Sequence, residues 1–315
     1  MSILITGGCG FIGSNFINYI FDKTFEKIIN IDALYYCASE LNVAENIRLS
    51  DRYKFIKGNI TQQDLINFIL KEYQIKMIIH FAAQSHVDNS FCVPLQYTHD
   101  NIIGTHTMLE AARIYGQLDK FIHVSTDEVY GESLLDDSEI SKTEHSVLAP
   151  SNPYAATKAS AELIAQSYYH SFKLPIIITR GNNVYGPNQY PEKLIPKFIN
   201  QLKEKKLITI QGSGLNKRSF LHVDDVSSAF EIIMKRGQIG QIYNIGSDSD
   251  TEYSVIEVGK MLIEFVSKST DYDKYISYIE DRPFNDKRYY ISNNRLKELG
   301  WEIKINFMDG LQSLI

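Results

Sequence analysis

Two consecutive carboxylates, Asp127 and Glu128, stand directly behind the apolar run Phe121-Ile-His-Val124, within the segment Ser125-Thr-Asp-Glu-Val-Tyr-Gly131. Such a run reads as a buried strand, and a lone buried carboxylate costs several kcal/mol or neutralises. The pair therefore belongs where the strand meets solvent or a ligand. Neighbouring carboxylates can divide proton work, because repulsion and burial hold one protonated while the other stays ionised. Without partners the same pair would be a solvated strand end or a helix cap.

A second pair follows in Tyr154-Ala-Ala-Thr-Lys158, a phenol and an ammonium four residues apart near the start of a helix, hence on one face of it. A free phenol titrates near 10, so a base working near neutrality needs about three units of depression, about 4 kcal/mol of preferential phenolate stabilisation. A neighbouring positive charge has the right sign. Taken alone, a Tyr and a Lys at this spacing are common on amphipathic helices.

The context comes from Gly7-Gly-Cys-Gly-Phe-Ile-Gly13, which lies between a first strand at Ile3-Leu-Ile5 and a helical stretch through Ile20. Glycines at this spacing permit a tight turn and let backbone N–H groups approach a pyrophosphate at the positive end of the helix. The run Ile28-Ile-Asn-Ile-Asp32 then supplies an acid at the spacing of a dinucleotide fingerprint. Asp32 suits the two ribose hydroxyls and repels a 2′-phosphate, and no Arg or Lys follows before Arg48. NAD is expected rather than NADP.

The elements that must position these groups alternate. Strand-length apolar runs at 3–5, 28–31, 54–56, 77–81, 121–124 and 175–179 are separated by helical patterns, which predicts a parallel sheet covered by helices. Long helices are expected over 97–116 and 153–172, the second opened by Asn152 as N-cap and Pro153 at its first position. Beyond about residue 183 the pattern loosens into Pro- and Gly-punctuated pieces, as a smaller lobe would. The 315 residues, 44% hydrophobic and 22% charged, suffice for one large core plus that lobe. A net charge of −6 offers nucleic acid no general attraction. No apolar run reaches the roughly 18 to 20 residues of a membrane span, and the early first strand leaves no room for a signal peptide. A cytoplasmic location without membrane association is the expectation. Cys9, Cys37 and Cys92 lack metal-like spacing and read as reduced thiols, so no metal is expected. His80 and His222 read as structural.

The sequence resembles the extended short-chain dehydrogenase/reductases, and within them the nucleotide-sugar 4,6-dehydratases. The resemblance spans essentially the whole chain and is carried by GGCGFIGS (7–14), HFAAQSHVDNS (80–90), STDEVYG (125–131), YAATK (154–158), RGNNVYGPNQYPEKLIP (180–196), RSFLHVDD (218–225) and DRPFNDKRY (281–289). It implies an α/β doubly wound parallel sheet of Rossmann type over residues 1–182, joined by later segments, with a smaller lobe, mainly residues 183–315, for the nucleotide sugar. It also implies a homodimer paired through the helices at 97–116 and 153–172.

By the same resemblance, Thr126 binds the sugar's 4-oxygen beside Tyr154 and Lys158, Glu128 removes the C5 proton once C4 is a ketone, and Asp127 protonates the departing C6 hydroxyl. NAD contacts fall on Gly7, Gly10, Phe11, Ile12, Gly13, Asp32, Asn59, Ile60 and Ala82, besides Tyr154 and Lys158. Asn59 stands where many relatives carry Asp. Ser85, Asn183, Lys193, Leu194, Arg218 and Arg288 match substrate-binding positions, the cations and amides suiting a diphosphate. Asn182-Asn183-Val-Tyr185 and Arg282-Pro-Phe-Asn-Asp286 favour UDP-glucose over dTDP-glucose. A UDP-sugar 4-epimerase would need no acid pair, and a non-catalytic NAD sensor would need no Tyr154.

Overall fold

A computed structural model describes residues 2–135, 140–248, 251–281 and 285–315. Arg282, Pro283 and Phe284 of the DRPFNDKRY segment lie outside the described residues. Six of the expected strands form: β1 (Ser2–Thr6), β2 (Lys27–Asp32), β3 (Tyr53–Lys57), β4 (Ile75–His80), β5 (Lys120–Thr126) and β6 (Ile176–Gly181). With β7 (Asn183–Tyr185), β8 (Ile208–Gln211), β9 (Lys217–His222) and β10 (Ile242–Ile245) following, the main sheet runs β10-β6-β5-β4-β1-β2-β3, every pairing parallel. The chain runs outward from β1 in one direction and from β4 in the other. Their carboxyl ends thus form the crevice where ligands bind in such sheets.

Strand alternation splits the apolar side chains between the two faces of the sheet. Ile3 and Ile5 join one buried cluster with Phe16 and Phe230, while Leu4 between them joins another with Met108 and Phe121. Both faces are covered, which explains runs that are apolar at nearly every position. A third cluster, with Phe198, Ile210, Leu262 and Phe307, forms around β11 (Glu252–Ser254), β9 and β7, and around β8 paired with β12 (Ile276–Ile279).

The helix Pro153–Phe172 begins where expected, with the Asn152 side chain accepting from the Ala155 amide and Pro153 in the first turn. The stretch expected as one helix over 97–116 is divided. A short helix Pro94–Tyr97 passes into a π-helical turn, Thr98–Ile103, before the helix Gly104–Tyr115, which Gly116 ends at φ 66. The widened turn lets Asn101 bond the backbone of Gln84 and the Thr157 hydroxyl while Asp100 accepts from Gln84 and Gln96. Periodicity alone does not register one extra residue in a turn. Among the described residues no helix is long and apolar enough to cross a membrane.

Candidate active site

A cleft of about 240 Å³ opens at the carboxyl ends of β1, β2, β4 and β5. Its floor is the glycine loop. Gly7 has φ +70, and a Cβ there would sit 2.7 Å from the Ala82 backbone; a Cβ on Gly13 would meet the Gly7 carbonyl oxygen at 2.4 Å. Neither position accepts a larger residue without moving the loop. The helix Phe11–Ile20 starts at Gly10 with no side-chain cap and no acid in its first turn, leaving its amides and positive dipole end for an anion. Phe11, Ile12, Asn59, Ile60 and Ala82 also line the cleft.

Asp32 lies at the end of β2, 8% exposed, its two oxygens accepting from the Cys9 amide at 2.9 Å and the Leu34 amide at 2.8 Å. Burial raises its carboxyl, with those amides opposing. The carboxylate so braces the glycine loop and still has lone pairs free for a ribose. Asn59 places its amide nitrogen 2.9 Å from the Tyr35 hydroxyl, and its oxygen accepts from the Thr61 amide at 3.0 Å. Asn30, which sequence reading passed over inside an apolar strand, accepts from the Gly8 amide and donates to the Tyr53 hydroxyl. Groove shape, uncapped helix end and carboxylate together fit a dinucleotide lacking a 2′-phosphate.

At the other end of the cleft Tyr154 and Lys158 share the wall with Val124 and Ser125. Lys158 donates to the Val124 carbonyl at 2.5 Å; burial lowers its ammonium to about 8, with Glu162 opposing. Burial, then the Glu128 and Asp127 carboxylates, push the Tyr154 phenol well above its usual range, against a hydrogen bond with Thr126. The chain's own groups thus keep this phenol protonated.

Thr126 caps the single 3₁₀ turn Asp127–Tyr130, its hydroxyl accepting from the Glu128 amide and donating to Asp127 Oδ1 at 3.1 Å. Asp127 is 3% exposed, and burial together with the Glu128 charge raises its carboxyl to about 7, while hydrogen bonds from Asn182 and Thr126 oppose. Glu128 accepts from Asn152 at 2.9 Å and lies 3.4 Å from the Tyr289 hydroxyl, which also bonds Asp286. Asn182 and Tyr289 lie in quoted segments, but sequence reading gives neither a role beside the carboxylates. Their partners lie 55 and 161 residues away, a relation no local pattern encodes.

Ser85 and Lys193 line the cleft and meet, Lys193 donating to the Ser85 carbonyl at 3.1 Å, and burial lowers the Lys193 ammonium. Arg218 stands over the Tyr289 ring at 5.0 Å, and its charge lowers Asp127. Asn183 in β7 and Leu194 at the start of the helix Leu194–Lys203 are not among the cleft's lining residues. Arg288 also stands off the cleft, its Nε donating to Glu252 at 2.8 Å and its guanidinium 4.1 Å from the Tyr290 ring centre. His80 bonds Thr6 and Thr105, and His222 caps the helix Val223–Arg236, so both are structural. Tyr154 and Lys158 thus stand at one end of a dinucleotide-shaped groove, while Thr126 and the two carboxylates, which like Arg218 are not among its lining residues, lie behind them close enough to Tyr154 to act on its phenol.

A family model described as GDP-mannose 4,6 dehydratase matches residues 4–314. A dTDP-D-glucose 4,6-dehydratase of Dictyostelium discoideum is 45% identical, the match covering 98% of this chain and 80% of that protein. A trifunctional UDP-glucose 4,6-dehydratase, 3,5-epimerase and reductase of Arabidopsis thaliana is 46% identical over 99% of this chain, which spans only 46% of that longer protein. Among solved structures, a dTDP-glucose 4,6-dehydratase of Bacillus anthracis in complex with NAD superimposes with a TM-score of 0.90 at 40% identity, covering 99% of this chain and 94% of that one.

Proposed function

The chain belongs to the GDP-mannose 4,6-dehydratase family, and on that premise we propose that it is an NAD-dependent nucleotide-sugar 4,6-dehydratase, a hydro-lyase acting on UDP-glucose, with dTDP-glucose as the alternative substrate. The observation that carries the reading is Asp127, buried next to Glu128 with its carboxyl raised to about 7. A buried acid poised near neutrality can give a proton to a poor leaving group, whereas a 4-epimerase returning hydride to C4 has no use for one.

NAD held over the glycine loop at Gly7, Gly10 and Gly13 and by Asp32 would supply the hydride acceptor for C4 and the hydride donor for C6. Tyr154 takes the O4 proton, assisted by Lys158, with Thr126 holding the same oxygen. Glu128 then removes the C5 proton, now acidic beside a ketone. Asp127 protonates the C6 hydroxyl, which leaves as water, and C5 regains a proton from an exchangeable acid. The product is the 4-keto-6-deoxy sugar, with no net change in NAD.

Gly7, Gly10, Phe11, Ile12, Gly13, Asp32, Asn59, Ile60 and Ala82 hold the cofactor in this reading. Ser85, Asn183, Lys193, Leu194, Arg218 and Arg288 hold the nucleotide sugar, with residues 1–182 mainly for NAD and 183–315 mainly for substrate. Arg288 would exchange Glu252 for a phosphate. The reading includes a homodimer, supported by exposed Ile103, Ile114, Leu163 and Phe172 on the two long helical segments. It also includes a cytoplasmic location, which suits the free thiols of Cys9, Cys37 and Cys92.

Mass spectrometry of the product from UDP-glucose and from dTDP-glucose tests the reading. Loss of one water, with deuterium from C4 recovered in the C6 methyl, is expected. Label returned to C4 with the C6 oxygen in place would make the protein an epimerase.

A further inference from the structure

The end of β6 carries two polar side chains that the chemistry above does not use. Arg180 is the last residue but one of β6 and Asn182 the first residue past it, and both are buried. Asn182 donates to Asp127 Oδ2 at 2.6 Å. Arg180 donates through Nη1 to the Tyr130 hydroxyl at 2.7 Å, its guanidinium 4.6 Å from the Tyr130 ring centre. One strand end therefore grips both ends of the turn Asp127–Tyr130.

Arg180 also reaches the helix that bears Tyr154 and Lys158. Its Nε donates to both carboxylate oxygens of Glu162 at 3.1 Å, and Glu162 is four residues beyond Lys158 on that helix. The Tyr130 hydroxyl continues the chain to Asn244 on β10 at 2.8 Å. Arg180 is 2% and Glu162 0% exposed at the side chain. An ion pair buried this deeply is a poor source of stability, because an apolar pair of similar volume does as well. Its geometric consequence is definite: one guanidinium bridges the catalytic helix and the acid-bearing turn.

We propose that Arg180, with Glu162 and Tyr130, is a positioning element that sets the spacing between the helix of Tyr154 and Lys158 and the turn of Asp127 and Glu128, so that elimination depends on it more than C4 oxidation does. The inference rests on the dehydratase reading. Oxidation needs the sugar's O4 held at Tyr154 and Thr126. Elimination needs that same sugar to meet Glu128 and Asp127 at once, so a displacement too small to affect binding slows proton transfer.

The test mixes NAD-loaded protein with sugar nucleotide and follows reduced-nicotinamide absorbance, whose rise reports oxidation and whose decay reports elimination and hydride return. Two variants are compared with the parent: Tyr130→Phe, which removes one oxygen, and the double variant Arg180→Met with Glu162→Leu, which leaves no charge buried alone. In Tyr130→Phe the rise stays near the parental rate, KM is unchanged, and the decay slows roughly tenfold or more; in the double variant, where the lost Glu162 charge also lowers Lys158, the decay slows by more than the rise does. Should the double variant not fold, Tyr130→Phe decides. Rise and decay that keep the parental ratio in Tyr130→Phe overturn the inference alone. A parent that never releases water overturns the dehydratase reading and this inference with it.

Discussion

Asn152 donates its side-chain amide to Glu128 Oε2 at 2.9 Å while its oxygen accepts from the Ala155 amide at 2.9 Å. One residue thus caps the helix that carries Tyr154 and holds the carboxylate assigned to C5. The two duties separate by substitution. Asn152→Ala loses both, and the lost cap costs about 1 kcal/mol. Asn152→Ser restores the cap but cannot reach Glu128. Denaturation midpoints should fall for Ala and recover for Ser, while transient-absorbance decay stays slow in both. Full recovery of decay in the Ser variant would detach Glu128 from Asn152.

Asp127 makes stability and chemistry depend on pH in a defined sense. Its carboxyl is raised to about 7 in the folded chain, first by burial and then by Glu128, whereas an unfolded Asp titrates near 3.9. The folded state holds the proton more tightly, so this group's contribution to stability is complete below about 4 and is lost as pH rises through about 7. The swing is on the order of a few kcal/mol, and Asp127→Asn should flatten it in denaturant titrations between those limits. Water loss, which needs the proton, should decline over the same rise in pH. Asn182 donates to this carboxylate and lowers it, as does the Arg218 charge, so Asn182→Leu should move that decline to higher pH. An unmoved limb would assign the proton to another group.

What the sequence discloses follows from how local each feature is. The six apolar runs are legible as strands because strands buried on both faces are apolar at nearly every position. The start of the helix Pro153–Phe172 is legible because cap and first turn lie within four residues. The roles of Arg180, Asn182, Asn30 and Tyr289 are not, although their segments are, because each role depends on a partner brought close by strand order, such as Ser125 pairing with Arg180 in register. The π-helical turn at Thr98–Ile103 escapes for a different reason. Its apolar spacing differs from an α-helix by one residue, and its justification lies in the buried bonds of Asn101 to Gln84 and Thr157.

Asp32 braces the loop and, in the proposed reading, also holds the ribose, so its replacement has two readouts. Asp32→Ala removes charge-assisted hydrogen bonds worth about 1.5 to 3 kcal/mol, roughly a 10- to 150-fold loss of NAD affinity. It also strips the Cys9 and Leu34 amides of their acceptor, so stability of the cofactor-stripped protein should fall too. Asp32→Asn keeps acceptor capacity and should spare much of the stability while losing affinity. Unchanged NAD affinity in fluorescence titration of either variant would remove Asp32 from the cofactor site.

Tyr154 presents the sharpest electrostatic demand, because burial and the carboxylates of Glu128 and Asp127 raise a phenol that the proposed mechanism uses as a base near neutrality. Lys158 is fully sequestered, bonded to the Val124 carbonyl and lowered to about 8, so its own charge is partly gone above that pH. A second positive charge is needed, and the oxidised nicotinamide carries one. Phenolate formation at Tyr154 should therefore occur at lower pH in NAD-loaded protein than in stripped protein. Lys158→Met should raise it in both. With 20 tyrosines in the chain, the ultraviolet titration must be taken as the difference between the parent and Tyr154→Phe. The same order should appear in the rise of reduced-nicotinamide absorbance, which in Lys158→Met should be slow and should keep increasing with pH beyond the parent's plateau. Identical phenol titrations with and without NAD would show that the cofactor's charge does not reach Tyr154, and the proton at O4 would then need a different acceptor.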